Sequence, residues 1–282
     1  MYELKNDILE AKFEIEEKGL EIRSLKHKGK ELLYQQDEDW AKNFPVLFPV
    51  CGYVKGKFTY KGSEYEVPRH GFFKDIKNWK VNKVSDTLFE LTSKPDETIK
   101  KMYPFDYELK AIIEIDGNRF KYNFEIKNDG ENEMYFSFGH HPAFLMSSDS
   151  ELVFDKPQKY VTENGVENSY VPNQENKIEI AKFRINDYDF SDSKFFLFDE
   201  FNGEKVIYNF ENKQLEFDFK GYPYLVLWKM SEKSNFFCIE PWYGVPDNFE
   251  LESREFKDKI GIQKLEKGQS KLITFEFSIN DK

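Results

Sequence analysis

Apolar residues recur at every second position over long stretches of this chain, and that period limits what it can build. Phe105, Tyr107, Leu109, Ala111, Ile113 and Ile115 alternate with mostly charged neighbours. After Asp116-Gly117-Asn118 the alternation resumes at Phe120, Tyr122, Phe124 and Ile126. Successive strand side chains point to opposite faces, so this segment reads as two half-buried strands around a turn that wants positive φ. Leu215, Phe217 and Phe219 alternate before a Gly221-Tyr222-Pro223 break, and Tyr224 to Trp228 follow as a short apolar run. Ile273, Phe275, Phe277 and Ile279 close the chain after a turn around Gly268, and Ala11 to Leu25 and Val84 to Leu91 also fit strands. No apolar stripe of helical period is sustained, so few or no long helices are expected. Short turns such as Asn128-Asp129-Gly130 and Asn202-Gly203 punctuate the strands as in a large antiparallel sandwich. The expected fold is all-β.

The 282 residues suit one large β domain, and no linker, repeat or low-complexity tract divides them, so residues 1–282 read as a single unit. The polar interval Glu163 to Lys177 reads as a surface loop. With 41 Lys and Arg against 52 Asp and Glu, the net charge of −11 repels phosphate backbones and anionic lipid surfaces. Nucleic-acid and membrane partners are therefore not expected. Aromatic residues make up 17% of the chain, too many for disorder. The longest stretch without polar side chains, Phe44 to Val54, is broken by Pro45, Pro49 and Gly52 and cannot span a bilayer. The N-terminal segment lacks the apolar core of a signal peptide. Cys51 and Cys238 alone imply no disulfide framework. These features lead to the expectation of a soluble cytoplasmic protein.

Three of the four histidines stand in settings that can carry chemistry. His70 lies in Pro68-Arg69-His70-Gly71-Phe72, a turn that presents a polar side chain. His140 and His141 follow the strand-like Tyr135 to Gly139 and precede Pro142, so only one of the pair is expected to face a given pocket. Glu240 ends an apolar run, and Pro241 biases it toward extended geometry. Neighbouring aromatics would raise its pKa by desolvation. His27, between Lys26 and Lys28, is expected to be solvated. Two histidines and a carboxylate also suit zinc or iron, but no short ligand spacing supports a metal.

Five segments, in order, resemble one known family, the aldose 1-epimerases (galactose mutarotase-like), and in particular their LacX-like branch. They are Phe44 to Gly52, Arg69-His70-Gly71-Phe72, Phe138 to Phe144, Tyr222-Pro223-Tyr224-Leu225 and Glu240 to Asp247. The resemblance spans nearly the whole chain. It implies a β-supersandwich with an open cleft for a hexose, no cofactor, and an isomerase that opens and recloses the sugar ring. Carried across motif by motif, Glu240 would take the proton from the C1 hydroxyl, His141 would protonate the ring oxygen, and His70 would bind and polarise the sugar. Where the family commonly has an arginine after the FPVCG segment, this chain has Tyr53, with Arg69 as the candidate to replace it in space. Asp247 matches a family aspartate, and His140 and Trp242 lie within the matching segments as further substrate-binding candidates. The family's mid-chain sugar-binding aspartate falls around Asp192 to Asp199.

The leading expectation is thus an aldose 1-epimerase acting on a free hexose such as galactose or glucose. A mutarotase for a hexose phosphate would want a basic cluster, whereas just one of the five arginines lies beside a site motif. A carbohydrate-binding protein that has lost turnover is the alternative from another class, and the Tyr53 exchange is its support. The expected partner is a small sugar, and an exposed strand edge would permit a homodimer.

Overall fold

Asp116 pairs with Arg119, and the ladder runs back from this two-residue turn through ten antiparallel pairs to Tyr107 and Asn128. Gly117 has φ 59°, as the turn demands. Its inward residues, from Tyr107 to Ile115 on one strand and Phe120 to Ile126 on the other, are at most 2% exposed. The computed structural model describes residues 1–15, 19–36, 40–164, 170, 174–248 and 252–282. Among these, sixteen strands form one continuous sheet. Its central path begins Val46–Leu47, Phe138–His140, Phe236–Tyr243, Tyr224–Trp228, Lys194–Phe198 and Glu151–Asn164. It continues through Lys205–Phe210, Lys213–Asp218, Glu276–Asp281, Arg119–Asn128 and Tyr107–Asp116 to Leu88–Ser93 and Lys80–Lys83.

A second sheet of four strands, Tyr2–Lys5, Leu9–Glu14, Glu21–His27 and Lys30–Glu31, adds Leu4, Leu9, Ala11 and Phe13 to the same apolar core. The architecture is the large antiparallel β-sandwich expected. Among the described residues the α-helical content is one six-residue helix, Glu97–Met102, whose N-terminus is capped by the Asp96 carboxylate. No helix is long and apolar enough to cross a membrane.

Some local expectations are corrected. Ala11 to Leu25 is two strands of a hairpin, because the chain turns between Glu14 and Glu21. Val84 to Leu91 likewise spans the turn between Lys80–Lys83 and Leu88–Ser93. The Glu163 to Lys177 interval lies mostly outside the described residues. His27 is not solvated but 2% exposed. Strand alternation turns it inward where the small sheet meets the large one, and its Nδ1 accepts a hydrogen bond from Lys213 Nζ at 2.8 Å. Lys213 also pairs with Asp281, which Lys28 engages at 2.6 Å. Burial and the adjacent Lys213 ammonium lower the His27 pKa and keep the ring neutral.

The strand Phe236–Tyr243 is the one that positions chemistry. It is buried on both faces over all but its last residue. Phe237 and Ile239 point into the main core, while Cys238, Glu240 and Trp242 share the opposite face. On one side it pairs continuously with Tyr224–Trp228. On the other it pairs first with Ala143–Leu145 and then with Phe138–Gly139, so its neighbour breaks at His141-Pro142. Glu240 and Pro241 occupy the gap between those two pairings, where Pro241 lacks no ladder bond for want of an N–H. The break exposes Glu240 to a cleft instead of to a neighbouring strand.

Candidate active site

The cleft over this break has a volume of about 340 Å³ and is walled by Trp40, Trp228, Trp242 and Phe195. Polar groups reach it from four sources: Glu240, His141, His70-Arg69 and Lys42. That is the size and mixed character of a small-ligand pocket. Glu240 is 1% exposed, and its Oε2 lies 3.3 Å from His141 Nε2. His141 is held by its own N–H, which donates to the Pro45 carbonyl at 2.9 Å. Its ring lies between Trp40 and Trp228, with centroids 5.3 and 5.5 Å away.

His70 adopts φ 64°, a left-handed conformation uncommon for a residue with a side chain. Gly71 after it has φ 77°, and a Cβ there would stand 2.0 Å from the Phe48 carbonyl oxygen, so only glycine lets the turn dock. The turn is strapped to the Gly52 loop twice. The His70 N–H donates to the Gly52 carbonyl at 2.9 Å, and the Gly52 N–H donates to His70 Nδ1 at 3.1 Å. An imidazole that accepts at Nδ1 carries its proton on Nε2. His70 is thereby set as a donor, and its ring stands 5.9 Å from that of His141 and 6.1 Å from that of Trp242.

Burial raises the Glu240 pKa well above the ordinary carboxylate value, with Arg69 opposing in part. Burial pushes His141 well below the ordinary histidine value, and the neighbouring His70 and Lys42 push it further. His70 is lowered in the same way, by burial and then by Arg69 and Lys42. The opposed shifts both favour the neutral forms of Glu240 and His141, two groups 3.3 Å apart between which a proton can pass. Seven described side-chain polar atoms are buried without a hydrogen-bond partner, and three of them belong to Glu240, His141 and Trp242. Native structures rarely leave such groups unpaired, and a polyhydroxylated ligand would satisfy these.

Five of the eight residues picked from sequence for catalysis and binding, Glu240, His141, His70, Arg69 and Trp242, line the cleft. His140, Tyr53 and Asp247 do not. The His140 ring is fully buried behind the sheet, its Nε2 3.0 Å from the Tyr122 carbonyl and its ring stacked on Phe275. Strand alternation sends it away from His141, into the core. Tyr53 is 40% exposed and outside the lining, although its carbonyl accepts from the Asp247 N–H at 3.0 Å. The Asp247 carboxylate is engaged by Lys259 Nζ and by the Lys55 N–H, both at 2.9 Å, and braces the loop from beneath. Of the mid-chain aspartates, Asp199 accepts from the Tyr170 hydroxyl at 2.9 Å and neither it nor Asp192 lines the cleft. Sequence reasoning missed Trp40, Lys42 and Trp228. A tryptophan after the acidic run Asp37-Glu38-Asp39 was a usable signal for the first. Lys42 had none.

Ligand atoms of His141, Cys238 and Glu240 lie within 4.8 Å of one another, the one such group among the described residues. A soft divalent ion would fit there. It would take the same His141 and Glu240 atoms between which a proton can move.

Residues 1–260 match the aldose 1-epimerase family, and the chain belongs to that family. Protein LacX of Lactococcus lactis subsp. lactis, in its plasmid and chromosomal forms, is 27% identical over 93% of this chain and 94% of its own length. Among solved structures, a galactose mutarotase related enzyme from Lactobacillus acidophilus superposes with a TM-score of 0.88 at 23% identity, covering 99% of this chain and 97% of that one. A galactose mutarotase-like protein from Lactobacillus casei does so with 0.85 at 22% identity, covering 99% and 100%. Both share the fold.

Proposed function

We propose that this protein is an aldose 1-epimerase that interconverts the α and β anomers of a hexose such as galactose or glucose by acid–base ring opening and reclosure. The observation that carries this reading is the buried Glu240–His141 pair, 3.3 Å apart and facing an aromatic cleft. Anomer exchange at a hemiacetal needs one group to take the proton from O1 and another to give one to O5. Both oxygens sit on C1, so two catalytic groups a few ångströms apart can serve them.

The opposed pKa shifts rest the proton on Glu240, and the reacting form is the less populated one with the proton on His141, in which Glu240 is a carboxylate able to accept the O1 proton while His141 Nε2 donates to O5. The C1–O5 bond breaks and C1 becomes an aldehyde, which leaves Glu240 protonated and His141 neutral. Rotation about C1–C2 presents the other carbonyl face. In the return step the C5 hydroxyl attacks C1, His141 takes its proton and Glu240 returns a proton to O1. The two protonation states of one pair are thus the two ends of the half-reaction, and no net proton is exchanged with water. The His70 Nε2–H and the Arg69 guanidinium are placed to bind ring substituents and the developing negative charge on oxygen. Tryptophan faces supply stacking surface for the ring.

Arg69 in the lining supplies the fixed cationic fork that Tyr53 lacks, which favours turnover over silent sugar binding. The buried unpaired thiols of Cys51 and Cys238 suit a reducing compartment, and we place the protein in the cytoplasm. The test is polarimetry starting from pure α-galactose and α-glucose. The protein is expected to speed relaxation well beyond the spontaneous rate, and a spontaneous rate on both sugars would contradict the reading.

A further inference from the structure

The strand that carries Glu240 runs out through Gly244, Val245 and Pro246 to Asp247, and this tail lies against the loop that holds His70. Pro246 sits so close to Gly52 that a Cβ there would stand 2.4 Å from Pro246 Cγ, and both residues line the cleft. Asp247 then grips the loop beyond Gly52. Its N–H donates to the Tyr53 carbonyl at 3.0 Å, and its Oδ2 accepts from the Lys55 N–H at 2.9 Å. Lys259 Nζ donates to Asp247 Oδ1 at 2.9 Å and to the Val245 carbonyl at 2.5 Å. The Lys259 and Asp247 side chains are 4% and 11% exposed, and the more exposed Arg254 stands 3.5 Å from Oδ2. A buried ion pair adds little net stability over an apolar replacement, and its best-attested use is to fix one arrangement among several. This loop needs fixing. Gly52 and Gly56, with φ 75° and 63°, bracket it and leave its path open. What depends on that path is the Gly52 N–H, which donates to His70 Nδ1. Burial keeps the His70 ring neutral, with Arg69 and Lys42 adding to the effect, so one of its nitrogens goes without a proton.

We infer that the buried Asp247–Lys259 pair is a positioning device that sets the tautomer of His70. By holding Tyr53 and Lys55 it aims the Gly52 N–H at His70 Nδ1, which leaves Nε2–H as the donor toward the cleft. The sequence resemblance set Asp247 against the substrate. Its effect instead reaches the substrate through Gly52 and His70. That the Nε2–H assists ring opening rests on the epimerase reading, whereas the tautomer itself does not.

The test is nitrogen NMR of histidine-labelled protein, in which protonated and bare ring nitrogens resonate far apart, with His70→Asn assigning the signal. Wild type is expected to show His70 with a bare Nδ1 and a protonated Nε2. Asp247→Asn should mix the two tautomers, and so should Asp247→Asn combined with Lys259→Met, which removes both buried charges together. The single variant keeps the size of the side chain and serves alone if the double variant does not fold. In both, kcat for glucose anomer exchange should fall about tenfold with KM changed far less, because the donor acts on charge that develops during ring opening. That loss is expected even where the urea midpoint of the double variant matches wild type, which a merely structural role would not produce. A protonated Nδ1 in wild type, or a single unchanged tautomer in the folded variants, would overturn the inference. A tautomer shift with kcat unchanged would overturn its link to turnover. If wild type exchanges no sugar, the epimerase reading fails, and the tautomers of wild type and variants still decide the positioning.

Discussion

At Glu240 and His141 the same burial acts in opposite directions on two ionisable groups, raising the acid's pKa and lowering the base's. Adding a second proton to the pair is opposed by the forces that depress His141. Removing its one proton is opposed by the forces that raise Glu240. Both shifts therefore favour the state in which the pair carries one proton, on Glu240. The acid limb of kcat/KM is expected below the ordinary histidine value of 6.5, and the alkaline limb well above the ordinary carboxylate value of 4.5. A rate profile over roughly pH 4 to 10 by NMR exchange checks this. A half-maximal acid limb at 6.5 would mean that His141 titrates as a solvated ring. The roles of Glu240, His141 and His70 came from motif resemblance. Their relative placement could not, because it depends on contacts made between segments far apart in the chain.

At the scale of elements, the site exists because one strand stays continuous while its neighbour breaks. Alternation in Phe236–Tyr243 was visible in the sequence as an apolar run ending in a carboxylate. The break opposite it, at His141-Pro142, was visible as a proline after two histidines. That the two coincide is a matter of register, which the sequence does not display. The sequence did show that His140 and His141 must face opposite ways, though not which would face the cleft. Gly139 completes the arrangement: a Cβ there would stand 2.5 Å from Trp242 Cδ1. Gly139→Ala is expected to push Trp242 off its place, cost about 1–3 kcal/mol of stability, and raise KM more than it lowers kcat. Near-UV circular dichroism with steady-state kinetics would measure this. An unchanged tryptophan signal with unchanged KM would show that Trp242 does not set the sugar platform.

For the molecule as a whole, the all-β class and the hairpin around Gly117 were legible from period-two alternation. The strand order was not, since Glu151–Asn164 pairs with Lys194–Phe198 on one side and Lys205–Phe210 on the other. Such a path is decided by the packing of whole faces. The same limit explains His27. Its lysine neighbours in sequence point outward, and the partner that buries it, Lys213, is 186 residues away. Removing that partner leaves a buried ring nitrogen unsatisfied, so Lys213→Met should lower stability by about 1–3 kcal/mol in urea unfolding. Sugar exchange should be unaffected, because neither His27 nor Lys213 lines the cleft.

The central claim is that Glu240 and His141 work as one proton-exchanging unit. The most direct test measures anomer exchange in Glu240→Gln, His141→Asn and the double variant, each verified as folded. Each single substitution is expected to cost about 10²–10⁴-fold in rate, with the double variant little worse than either alone. Exchange in folded Glu240→Gln within tenfold of wild type, or losses that multiply in the double variant, would contradict it.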